Sequence, residues 1–120
     1  MERNNRRMLL AGAALVLAGT LTLAGCGSQT RTVTVAMGPG MIFAPANLGA
    51  RAGDTLVVQL SNVDNEDHDI HVPALGAHLH LRPGEKGQVR LSPKKAGSYE
   101  IVCTLPGHKE AGMVGTLLVR

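Results

Sequence analysis

The segment Cys103-Thr104-Leu105-Pro106-Gly107-His108-Lys109-Glu110-Ala111-Gly112-Met113 places a thiol, an imidazole and a thioether within eleven residues. Sulfur and imidazole donors are soft or borderline, and together they suit copper rather than magnesium or calcium. A copper site that passes single electrons takes two imidazoles, one thiolate and a weakly bound axial methionine. The segment supplies all of these but one imidazole. His68, in Asn65-Glu66-Asp67-His68-Asp69-Ile70, and His71 are the candidates for it. Other chemistry fits less well. A cysteine beside a histidine can act as a nucleophile with its base, but no orienting third group or oxyanion hole is marked. A buried cysteine or methionine is often core filler, and Met37 and Met41, which lack this context, are read as packing or surface residues.

The first 26 residues explain most of the formal charge of +3. Arg3, Arg6 and Arg7 precede the apolar run Met8 to Leu23, and Leu23-Ala24-Gly25-Cys26 follows a secretory pattern. At 16 residues the run is shorter than the roughly 20 of a spanning helix. Leu23 to Cys26 resembles the bacterial lipobox, which implies cleavage after residue 25 and lipidation of Cys26. Asn5 to Leu10 also loosely resembles a twin-arginine export signal. Beyond that point nine basic and eight acidic residues remain, a net charge of +1. Such a balance, with one tyrosine and one phenylalanine, speaks against nucleic-acid binding. Cys103 is then an unpaired thiol in an exported, oxidising setting, where free thiols are uncommon. Two cysteines in all exclude a disulfide scaffold or a four-cysteine metal site.

The elements that must position these donors read as short strands. Residues 26–31 form a short tether, and 32–120 a single domain. Thr32 to Ala36, Thr55 to Leu60, Ile70 to Val72, His78 to Leu81, Gln88 to Leu91, Ser98 to Cys103 and Val114 to Val119 are strand-like, rich in β-branched residues or alternating. Gly53-Asp54 and Pro83-Gly84 mark turns. Seven or eight such strands without helical periodicity predict an all-β sandwich. Met37 to Ala50, with two prolines and three glycines, reads as a loop.

Cys103 to Met113, with its Cys-x4-His-x4-Met spacing and Pro106-Gly107, resembles the copper loop of the cupredoxins, the blue-copper family. His68-Asp69-Ile70 resembles that family's upstream His-Asn-Val motif, and the likeness runs from Val33 to Val119, including the Ala52-Gly53-Asp54 turn. The resemblance implies a Greek-key β-sandwich holding one type 1 copper, with His68, Cys103 and His108 as equatorial ligands and Met113 axial. Asp69 stands where many members carry asparagine; it is expected to accept a hydrogen bond from Thr104, with a charge that lowers the potential. The loop from Cys103 to His108 is longer than plastocyanin's, so that subfamily is not implied.

Strand alternation chooses between the upstream histidines. Three positions apart, His68 and His71 face opposite ways. Turning His68 inward buries Ile70 and Val72 and leaves Asp69 and His71 to water, the less costly arrangement. His71, His78 and His80 are read as solvated edge residues rather than a second metal site, since no carboxylate accompanies them as a metal's usual surroundings. These features predict a lipid-anchored, exported electron carrier. It is not an enzyme, because four protein ligands leave no open metal position for a substrate. Its expected partner is a membrane-bound redox complex, such as a respiratory one, reached over the short tether. The rival expectation is an extracytoplasmic copper chaperone or buffer using the same residues.

Overall fold

The computed structural model describes Gly25 and residues 27–120; the expected signal segment and Cys26, the expected lipidation site, lie outside the described residues. Among the described residues, nine strands form two facing sheets. β1 (Thr30–Met37), β2 (Phe43–Ala44), β4 (Thr55–Asn62) and β7 (Lys86–Leu91) make a four-stranded sheet in the order β2-β1-β4-β7. β3 (Asn47–Ala50), β9 (Val114–Val119), β8 (Gly97–Val102), β5 (His68–Val72) and β6 (Ala77–Leu81) make the other, in the order β3-β9-β8-β5-β6. β1–β4 and β3–β9 run parallel, and the remaining pairs antiparallel. Successive strands β4 and β5, β6 and β7, and β7 and β8 lie in different sheets, so the chain crosses the sandwich repeatedly. The expected all-β sandwich is the observed fold. Among the described residues, no helix is long and apolar enough to cross a membrane.

Period-two alternation builds the core between the sheets. Leu56, Val58 and Leu60 of β4, Val35 and Met37 of β1, and Val89 and Leu91 of β7 meet Ile70 and Val72 of β5, Ile101 of β8, and Leu117 and Val119 of β9. Cys103 and Met113 belong to this same buried cluster. The metal-type donors therefore sit at one end of the core.

Most strand boundaries move by one or two residues from expectation; β5 begins at His68 rather than Ile70, and β8 ends at Val102 rather than Cys103. The strand count is nine because Met37 to Ala50, expected to be a loop, supplies β2 and β3. Those strands are two and four residues long, too short to show a period, and are stabilised by pairing to β1 and β9. β1 starts at Thr30 rather than 32 and its approach is already held at Gln29, whose amide donates to Asp54 Oδ1 (2.9 Å) while its carbonyl accepts from Thr55 N. Met37 is fully buried, so its packing role holds.

Gly115 allows the closest backbone approach among the described glycines. A Cβ there would collide with the Ala46 carbonyl oxygen, the same oxygen that accepts the Thr116 amide.

Candidate metal centre

Cys103 follows directly after β8, and His108 sits in the turn between β8 and β9. The turn is tied by its own backbone. Cys103 N donates to Met113 O (3.1 Å), Met113 N to His108 O (2.9 Å), and His108 N to Leu105 O (3.1 Å). These bonds pin the three residues to one another whatever the side chains do. His68 arrives from the other direction, as the first residue of β5.

The donors converge. His68 Nδ1 and His108 Nδ1 lie 3.1 Å apart, and His108 Nδ1 lies 3.4 Å from Cys103 Sγ. All three donor atoms fall within 4.8 Å of one another, and all three residues are buried. A nitrogen donor sits about 2.0 Å from a late transition ion and a thiolate about 2.3 Å, so donors sharing an ion stand about 3.3–3.6 Å apart. The two close spacings, 3.1 and 3.4 Å, lie near that range, and the N,N,S donor set suits copper. Met113 is fully buried beside them, fixed through its backbone.

A carboxylate orients the first histidine. Asp64 Oδ2 is 3.0 Å from His68 Nε2, the nitrogen away from the cluster. It accepts a hydrogen bond from Nε2–H, the tautomer that leaves Nδ1 as a lone pair facing Cys103 and His108. The His68 hydrogen bond and one from Asn65 N hold the Asp64 carboxyl below its ordinary value. Asn62, buried at the end of β4, shapes the loop that carries Asp64. Its Nδ2 donates to Glu66 O (2.7 Å) and Leu81 O (3.0 Å), and its Oδ1 accepts Asp64 N (3.0 Å). Gly38 leaves space on the other side. It lies at φ +72° against the Asp64 side chain, where a Cβ would clash. Sequence reasoning missed Asp64 and Asn62, because a loop aspartate four residues before a histidine carries no periodic signal.

Asp69 corrects an expectation. Strand alternation turns it to water, yet it is 2% exposed. The outer face of β5 is covered at this end by the Cys103 loop, and the carboxylate finds its partners there. Oδ1 accepts Thr104 N (2.6 Å), and Oδ2 accepts the Thr104 hydroxyl and faces His78 Nε2 (2.9 Å). The expected Thr104 bond is present. Burial opposes ionisation of Asp69, but the hydrogen bonds from Thr104 and His78 outweigh it and hold the carboxyl below its ordinary value. Asp69 N also donates to Cys103 Sγ (3.5 Å). Burial pushes the Cys103 thiol up, against the Asp69 and Leu105 amides.

The inward-facing set is as expected: His68, Ile70 and Val72 are buried, and His71 is only partly so. His71, His78 and His80 lie away from the cluster. The premise that no carboxylate accompanies them is overturned, since Asp69 faces His78 and Asp67 Oδ2 lies 2.9 Å from His80 Nε2. Cross-strand register, invisible in single-chain spacing, made those pairs.

The chain belongs to the cupredoxin-like domain family, whose model matches residues 8–119. A copper-resistant cuproprotein CopI from Rubrivivax gelatinosus is 33% identical over 110 residues, 75% of this chain and 67% of that protein. The solved structure of auracyanin B superposes with a TM-score of 0.64 at 26% identity, covering 80% of this chain and 91% of that one. Auracyanin A, a "blue" copper protein from Chloroflexus aurantiacus, gives a TM-score of 0.65 at 20% identity, over 76% and 99% of the two chains.

Proposed function

We propose that the chain is a type 1 copper protein that carries single electrons outside the cytoplasmic membrane, held there by a lipid on Cys26. The observation that carries this reading is the buried convergence of His68 Nδ1, His108 Nδ1 and Cys103 Sγ within 4.8 Å. Bound copper would supply a one-electron couple between Cu(I) and Cu(II). The protein's part is to hold the donors. Asp64 fixes the His68 ring, the Met113 and Leu105 carbonyls fix the loop, and the Asp69 amide donates to the Cys103 sulfur. Met113, buried and tied by its backbone to Cys103 and His108, would supply a weakly held thioether. Ile70, Ile101 and Leu117 in the surrounding core exclude water and resist rearrangement. A frame that keeps one donor geometry in both oxidation states suits transfer of electrons rather than catalysis on a bound substrate. With β1 beginning at Thr30, the path from Cys26 to the domain is short, which favours a membrane-bound redox complex as partner.

The likeness to a copper-resistant cuproprotein supports a second reading, in which the same residues buffer or deliver copper extracytoplasmically. Three measurements on the copper-loaded chain separate these. A carrier shows an intense band towards the red end of the visible spectrum, lost in Cys103→Ser, and reversible one-electron voltammetry. A band that survives in the serine variant overturns the ligand set. Rapid transfer of the metal itself to an acceptor, without reversible electrochemistry, favours the delivery protein.

A further inference from the structure

The outward face of β5 and β6 carries a second group of donors that the buried cluster does not use. Alternation puts Asp69 and His71 on that face of β5, with His78 and His80 on the same face of β6. In register, His71 stands opposite His78, and Asp69 opposite His80. The His71 and His78 rings lie 5.4 Å apart between centroids, inclined at 64°. β6 is the edge strand of its sheet, and the His78 side chain is 54% exposed, so the pair is open to ions in solution.

The His78 ring is also held. Asp69 Oδ2, at 2.9 Å from Nε2, accepts a hydrogen bond from that nitrogen's N–H, and Asp69 is itself buried and locked by Thr104. His78 Nδ1 is therefore the lone-pair nitrogen. A carboxylate on the far nitrogen is the usual support of a metal-bound imidazole. His80 repeats the arrangement one step along the strand with Asp67.

We propose that His71 and His78 form a surface site for a divalent transition-metal ion of the Cu(II) or Zn(II) class, with Asp69 as the positioning residue for His78. Imidazole nitrogens suit these ions. This site lies on the opposite face of β5 from His68, and it stands whether or not the buried cluster holds copper.

The test is Zn(II) binding to the full chain, produced without a polyhistidine tag and followed by native mass spectrometry and calorimetry. The wild type takes one more equivalent of Zn(II) than His71→Ala/His78→Ala, and either single substitution loses that equivalent. Far-ultraviolet circular dichroism matching the wild type shows that the variants fold. Asp69→Asn weakens the extra site about 10-fold, the lower end of what loss of a supporting carboxylate costs. Equal stoichiometry in wild type and double variant overturns the proposal. Failure of the blue-copper reading would leave the difference of one equivalent in place.

Discussion

Asp64 Oδ2 stands 3.0 Å from His68 Nε2, on the side of the imidazole opposite His108 and Cys103. An anionic partner there raises the basicity of the donor nitrogen and fixes its direction. Asp64→Asn should therefore weaken copper binding by about 10–100-fold, and Asp64→Ala by at least as much. Loss of the negative partner should also raise the reduction potential, because Cu(II) gains more from a basic imidazole than Cu(I). Chelator competition and voltammetry measure the two effects. Unchanged affinity in both variants would show that the loop alone positions His68.

Met113 is held against Cys103 and His108 through its backbone, with its side chain fully buried. Met113→Leu keeps that volume and removes the thioether. The variant should retain copper and its visible band, with a higher potential, since a weak axial donor tunes the couple. A potential equal to the wild type would assign the axial position to another group.

His68→Ala should abolish the visible band, and His71→Ala should leave it intact. The two side chains lie on opposite faces of β5, and only His68 is fully buried. Absorption spectra of the two copper-treated variants decide between them; the reverse pattern would shift the strand register by one.

Asp69 gives the fold a pH dependence with a definite sign. Its folded carboxyl lies below the ordinary carboxylate value, so its stabilising contribution is fully present above that ordinary value. It is lost as the pH falls through the lower folded value. Asp69→Ala leaves Thr104 N without its partner and should cost about 2–3 kcal/mol at pH 7. Urea titrations of the metal-free chain should show the wild type and variant converging as the pH falls from the ordinary carboxylate range through the lower folded value. A gap that persists at low pH would mean that packing, not the carboxylate charge, carries the effect.

Asn62 satisfies three backbone groups from a buried position. Asn62→Ala should destabilise the fold by about 2–4 kcal/mol, through loss of these bonds and the polar groups left unpaired. It should also loosen the 63–67 loop and weaken metal binding through Asp64. Denaturant midpoints and chelator competition, taken together, separate the effects. A stable variant with full affinity would remove Asn62 from the scaffold of the site.

What the sequence by itself determined is the chemistry carried by local spacing. Cys103, His108 and Met113 lie in one strand-to-strand turn, so their proximity is a property of eleven consecutive residues. Alternating apolar residues likewise marked the longer strands, because the pleat has a period of two and one face must be buried. The tertiary structure decided what depends on pairing between distant segments. It brought His68 to the loop, made strands of Phe43–Ala44 and Asn47–Ala50 by docking them on β1 and β9, and placed Asp64 behind His68. It also buried Asp69, which no alternation rule allowed, because Thr104 and His78 arrive from two other strands' ends to satisfy the charge. Burying a carboxylate costs free energy until its hydrogen-bond partners are in place, and those partners exist only once the sheets have assembled.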